Sequence, residues 1–190
     1  MKKYFKCIGL ILLLMNCSLI NAKPLTYDES THKLLKVLGA QNFLKQGIQL
    51  LILNSKDEDL KLKLNKILKK TDILQFEELL IPIYQKYLTQ NDMVELIKFY
   101  ETTTGKKIIE LELLVWNNSN GLDEKQLEIV RQKIFKEHMT VEDNKLVNIF
   151  LATKVQQKYL HVEPFMSIEA EKVGREYIIK KIKEQSNAQK

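Results

Sequence analysis

Residues 75–108 read QFEELLIPIYQKYLTQNDMVELIKFYETTTGKKI, and this stretch decides the fold. Phe76, Leu79, Leu80, Ile83, Tyr84 and Tyr87 recur at spacings of three and four residues, the buried stripe of an amphipathic helix. Pro82 within the stripe predicts a kink, or a helix that begins later than the pattern suggests. Thr89 then reads as an N-cap, with Asp92 three residues on in the manner of a capping box. Met93, Leu96, Ile97 and Tyr100 supply the next apolar face. Thr102 can cap a further helix that runs through Gly105 to about Val115.

The same pattern returns 51 residues later. Gln75–Ile108 aligns without gaps on Gln126–Tyr159, with eight identical positions. They are Gln75 and Gln126, Glu77 and Glu128, Ile83 and Ile134, Thr89 and Thr140, Asp92 and Asp143, Phe99 and Phe150, Thr102 and Thr153, and Lys107 and Lys158. The capping threonines, their aspartates and the phenylalanines coincide, which predicts a duplicated helical hairpin, each copy burying its stripe against the other. Two copies are too few for a solenoid, so the expected architecture is all-α, a compact helical bundle.

Outward from this pair the chain remains helical in character. Only six glycines and three prolines punctuate 190 residues, and no useful run alternates apolar with polar residues. Helices are predicted near Ser30–Leu38 and Gln41–Leu53, broken at Gly39, and over Leu60–Lys69, with Asn54–Glu58 as a connector. Asn117–Gly121 is a loop by composition. Beyond it, Leu127, Val130, Ile134 and Phe135 form one stripe, and Val147, Phe150, Leu151 and Val155 are expected to face inward. Pro164 predicts a turn or helix start. A last helix is expected over Phe165–Lys183, with Phe165, Ile168, Val173, Tyr177 and Ile178 as its apolar positions.

The N-terminus has a different composition. Lys2, Lys3 and Lys6 precede the apolar run Ile8–Met15, and Ser18, Asn21 and Ala22 supply a cleavage site before Lys23, the layout of a secretory signal peptide. The run is shorter than the roughly 20 residues needed to span a bilayer. The expected organisation is therefore a signal peptide over 1–22 and one helical domain over 23–190, working in the periplasm or as a secreted protein. Both cysteines, Cys7 and Cys17, fall in the leader, so the remainder offers no disulfide and no thiol. Cys17 is a possible lipidation site, although Leu14-Met15-Asn16 before it makes a poor lipobox. The formal charge is +6, three of it from the leader lysines, and the +3 left for the rest argues against nucleic acid as a partner.

Tyr84-Gln85-Lys86-Tyr87-Leu88-Thr89, followed by Phe99-Tyr100-Glu101-Thr102-Thr103-Thr104-Gly105-Lys106-Lys107, resembles the secreted bacterial family catalogued as domain of unknown function 2059. That family pairs a Tyr-x-x-x-(Phe or Leu)-Thr segment with a Phe-Tyr-x-(Ser or Thr)-Pro-x-Gly-x-Lys segment. The chain departs from it at Thr103, where the family usually carries proline. The resemblance centres on Phe76–Val115. It implies an exported α-helical protein and no particular reaction.

The residues singled out as a binding site are those of the helix corner: Tyr84, Phe99, Tyr100, Thr102, Gly105 and Lys107. A helix start frees backbone N–H groups that can meet an anion, with Lys106 or Lys107 nearby. A purely structural corner is the plainer reading, with Tyr100 packed against Gly105. Catalytic and metal sites are not expected. His32, His138 and His161 have no zinc spacing, Glu142-Asp143 reads as the dipole-favoured first turn of a helix, and no glycine-framed serine occurs. Gly105-Lys106 lacks the remaining P-loop residues. Lys180, Lys181 and Lys183 make a basic C-terminal face, for which an anionic membrane surface is the sharper reading.

Together these features predict a non-catalytic binding or interaction module of the cell envelope, without cofactor. Its partner would be an envelope protein, a peptide or a small apolar ligand held between helices. The alternatives are an envelope hydrolase or a lipid-anchored structural factor with membrane association.

Overall fold

The computed structural model describes residues 24–70 and 73–187; the expected leader over 1–22, with Cys17, lies outside them. Among the described residues the protein is all-α. Its helices are α1 Tyr27–Val37, α2 Ala40–Asn54, α3 Glu58–Lys70, α4 Ile73–Tyr87, α5 Gln90–Tyr100, α6 Thr103–Asn117, α7 Glu124–His138, α8 Val141–Leu151 and α9 Lys154–Asn187.

The helix starts follow local side-chain chemistry. Thr26, Thr89, Asp123 and Thr140 each accept from the backbone N–H three residues on, and the side chain at that position returns a bond to the cap's own N–H. Two otherwise unpaired donors are satisfied at each start. Gly39 separates α1 from α2 with φ 72°, a left-handed geometry that carries little penalty only for glycine.

α4 starts at Ile73 and runs through Pro82, so the later start offered as the alternative to a kink does not occur. The reading of Pro164 is corrected. α9 continues through Pro164 for 34 residues, so the separate helix over Phe165–Lys183 does not exist. Both prolines are exposed, as are Glu78 and Leu160 four residues before them, so water can reach the carbonyls that lose their helical donor.

The continuity of α9 also shifts its buried stripe. Val155, Tyr159, Val162, Met166, Ala170, Val173 and Tyr177 face the core at spacings of three and four. Phe165 and Ile168, expected inside, are 52% and 68% exposed. Val173, Tyr177 and Ile178, also expected inside, do pack on the core, so the phase differs only in the first turn after Pro164. Leu79 and Leu151 are likewise exposed rather than inward.

Most of the core gathers α1 to α5 around α9. α1 lies across α4 and α5, while α9 packs on α3, α4 and α5. The α5 face Met93, Leu96, Ile97 and Tyr100 is buried as a whole, sealed by Leu34 and Leu35 of α1. A smaller cluster joins α6 to α7: Leu111 and Val115 against Ile134, flanked by Leu127, Val130, Phe135 and Met139. Arg131 and Glu112 pair across the same contact at 3.1 Å.

Leu96→Ala is therefore expected to cost about 2–5 kcal/mol in urea denaturation, because it opens a cavity in a fully enclosed layer. Ile149→Ala, on the exposed side of α8, should stay within about 0.5 kcal/mol.

Candidate functional site

The helices α4, α5 and α6 start at residues 73, 90 and 103; α7, α8 and α9 start at 124, 141 and 154, each 51 residues later. Within each triplet the first two helices splay, and the principal contacts run across triplets. α4 packs on α9, and α7 packs on α6. The residues aligned from sequence thus meet one another at the junction.

Phe99 and Phe150, aligned positions, stack with ring centroids 3.6 Å apart and planes 9° from parallel. Such a face-to-face sandwich is not the arrangement that isolated rings prefer. Tyr100 supplies the missing edge contacts, lying T-shaped to Phe99 at 5.4 Å and to Phe150 at 5.8 Å. Two ion pairs also exchange partners between the triplets. Lys107 of α6 reaches Asp143 of α8 at 2.5 Å, and Lys158 of α9 reaches Asp92 of α5. A contact in which residue i of one unit meets residue j of the other, and the reverse, is the signature of a two-fold interface.

Both aspartates are also N3 residues of capping boxes. Asp92 accepts from the backbone and hydroxyl of Thr89. Asp143 accepts from the backbone and hydroxyl of Thr140, and its other oxygen accepts from Thr104 at 2.7 Å. The aligned position to Thr104 is Val155, so Asp92 lacks that fourth bond. The Lys107 ammonium, with the Thr104 and Thr140 hydrogen bonds, holds the Asp143 carboxyl well below its ordinary range. Burial works to raise Asp92, but hydrogen bonds from Lys158 and Thr89 outweigh it and leave that carboxyl lowered as well.

Gly105 is required where the chain turns from α5 into α6. A Cβ there would lie 2.2 Å from the Phe99 carbonyl oxygen and 2.6 Å from the Tyr100 Cα. Thr102 caps the turn, its hydroxyl oxygen accepting from the Gly105 N–H at 3.0 Å. The matching corner is capped by Thr153, which accepts from the Gln156 N–H at 3.3 Å. Gln156 carries a side chain where Gly105 cannot, so the second corner is more open at this point.

Behind the junction lies a group of tyrosines. The Tyr84 and Tyr159 hydroxyls hydrogen-bond to each other, and burial, with Glu163 adding to it, pushes Tyr84 up to about 12. Burial likewise pushes Tyr100 up to about 12, against a hydrogen bond with Gln156. These phenols stay protonated near neutral pH. Tyr84, Tyr159, Glu163, Met166, Ser167 and Ala170 line a cavity of about 50 Å³, room for water rather than for an organic ligand.

The six corner residues are thus brought together, but for packing. Phe99, Tyr100, Thr102, Gly105 and Lys107 all belong to the junction, with Tyr84 behind it. Lys107 faces Asp143 instead of the α6 N-terminus, and Lys106 is exposed. Asp143, Asp92 and Lys158, not proposed as site residues from sequence, complete the arrangement. Their signal was present as two identical Asp–Lys sets at one offset. The bonds to Asp143 occupy both of its oxygens, and those to Asp92 converge on Oδ2, which suits holding helices together better than moving protons. Elsewhere His32 of α1 faces the acids of α4, 3.4 Å from Glu78 and 4.0 Å from the buried Glu77. Among the described residues no group of three or more His, Cys, Asp or Glu side chains is placed to hold a metal ion.

Residues 75–130 match a family described as "Uncharacterized protein conserved in bacteria (DUF2059)". The family resemblance read from the corner motif is borne out over that span, which covers nearly all of α4, all of α5 and α6, and the first half of α7. No curated protein and no solved structure matches the chain.

Two outcomes follow from this geometry. Gly105→Ala should lower the melting temperature by several degrees, because the Phe99 carbonyl it would strike is backbone and cannot swing aside. For Asp143 the lowered folded-state pKa means that its contribution to stability is present above its ordinary value of 3.8 and is lost as pH falls below it. Denaturation midpoints of Asp143→Asn should therefore lie below wild type at pH 7, with the gap narrowing progressively as pH falls below about 4.

Proposed function

We propose that the protein is an exported, non-catalytic interaction module of the bacterial cell envelope, built from two copies of a three-helix unit. The observation that carries this reading is the unequal covering of the two triplets. α1 and α2 cover the first. In the second, α7 and α8 leave Val141 88%, Ile129 59% and Ile149 59% exposed, with Leu146 and Leu151 also open. Val141 and Ile149 line one open hollow on α8, and apolar side chains set together on a surface mark contact sites more often than solvent faces.

Export is supported by the leader-like composition of residues 1–22. No helix among the described residues is long and apolar enough to cross a membrane. A protein or peptide partner is favoured over a small apolar ligand, since the enclosed cavity beside Tyr84 is far below the few hundred Å³ such a ligand fills, and the larger hollow at Val141, Asn144, Asn148 and Ile149 lies open to solvent. A hydrolase is less favoured, because the buried aspartates and phenols at the junction are committed to structural bonds.

Photo-crosslinking in the native cell tests the reading. A photoreactive residue at Val141 or Ile149 should give one discrete adduct with an envelope protein. The mature chain should begin at Lys23 by intact mass. Absence of any adduct from folded protein would contradict the interaction reading, and a chain still carrying residues 1–22, or acylated at Cys17, would contradict simple export.

A further inference from the structure

We propose that Asn120 is a site of self-modification: the Asn120–Gly121 pair closes to a succinimide, which opens to a mixture of aspartyl and isoaspartyl residues. The inference goes beyond the interaction reading and does not depend on it. The pair lies in the connection between α6 and α7, the link from one triplet to the other. Asparagine is among the thermally labile residues. Three asparagines fall at this connection, and the structure separates them. Asn117 ends α6, and its Oδ1 accepts from Gln46 Nε2 at 3.0 Å. Asn118 donates through Nδ2 to the Leu114 carbonyl at 2.7 Å. Asn120 is exposed, and its side chain makes no hydrogen bond among the described residues. It is also the asparagine that glycine follows.

The backbone on the other side of the reacting bond is equally free. The Ser119 carbonyl accepts from the Leu122 N–H at 3.0 Å, which makes residues 119–122 a turn with Gly121 in its third position at φ 76°. Gly121 is exposed, and its N–H has no partner among the described residues. A Cβ built on it would meet nothing within 4 Å. No side chain therefore crowds the Gly121 nitrogen as it approaches Asn120, and it has no acceptor to give up first.

The chemistry needs only water and solvent base. The Gly121 nitrogen gives its proton to solvent and attacks Asn120 Cγ. A C–N bond forms, the Cγ–Nδ2 bond breaks, and the amide nitrogen takes a proton from solvent and leaves as ammonia. Water then adds to either carbonyl of the ring. Opening at Cγ returns an ordinary main chain with an aspartate. Opening at the main-chain carbonyl leaves the chain running through Cγ, an isoaspartyl residue. Either product adds one negative charge three residues before Asp123, which caps α7. The isoaspartyl form also lengthens the main chain by one methylene inside the turn. That turn joins the two helices whose contact holds Leu111 and Val115 against Ile134.

Ageing of the folded full chain in heavy-oxygen water, followed over days by peptide mapping with mass spectrometry, tests the proposal. The peptide carrying residue 120 should split into two new species, each with a carboxyl in place of the amide and one heavy oxygen, the isoaspartyl form in excess. Conversion should be faster in mildly alkaline than in mildly acidic buffer, because the attacking nitrogen must lose its proton. Asn117 and Asn118 should keep their amides. A folded chain that stays intact at Asn120 while a free peptide of residues 114–126 converts would overturn the proposal, since the turn would then protect the pair. Conversion confined to Asn117 or Asn118 would overturn it too, as would a purely aspartyl product, which direct hydrolysis of the amide gives without ring closure.

Discussion

The structure depends on the exchange of two ion pairs and on one aromatic stack. Lys107–Asp143 and Lys158–Asp92 accompany the stack of Phe99 on Phe150 and tie the corner of each triplet to the capped helix start of the other. Each aspartate serves its own helix as a cap and the opposite triplet as an anion, so the entry of α5 and α8 is set by the same atoms that join the units. The pairs are only partly exposed, which shields them from the screening that makes surface ion pairs nearly worthless.

From that junction the rest is positioned. The α5–α6 corner is tight because Gly105 lets α6 sit against the Phe99 carbonyl. This sets Lys107 and Thr104 within reach of Asp143. The second corner continues into α9, whose 34 residues run on past the point where α6 stops and line the core below α3, α4 and α5. The two triplets share a junction but differ in their outer faces. The first is covered by α1 and α2, and its α5 face is uniformly apolar. The second is open, and its matching positions carry Asn144 and Asn148 among Val147 and Leu151.

Helix content, capping and the 51-residue offset were legible in the sequence because they are local. Thr89 with Asp92 and Thr140 with Asp143 are short-range bonds that need no tertiary knowledge. The apolar face of α5 was read correctly because every residue of it is enclosed. What failed was phase across Pro164: a proline on a solvent-facing side interrupts a hydrogen bond without ending the helix, and whether its side faces water is a tertiary fact. Leu151 was misplaced for a related reason. Its counterpart Tyr100 is buried against Phe99 and Phe150, and nothing local says that Leu151 lacks such cover. The corner residues lie together in the structure as packing, and nothing local to Lys107 points to its partner Asp143, which lies 36 residues away.

A site whose polar atoms already bond to one another is suited to holding shape, and function then falls to the surface that the shape presents. The central claim is that the exchanged pairs join the triplets. A double-mutant cycle on Lys107→Met and Asp143→Asn, read by urea denaturation at pH 7, tests it most directly, because asparagine preserves the cap while removing the charge. The account predicts that the double variant is distinctly more stable than the sum of the single losses would give. Single effects that simply add would contradict it and reduce the junction to ring packing alone.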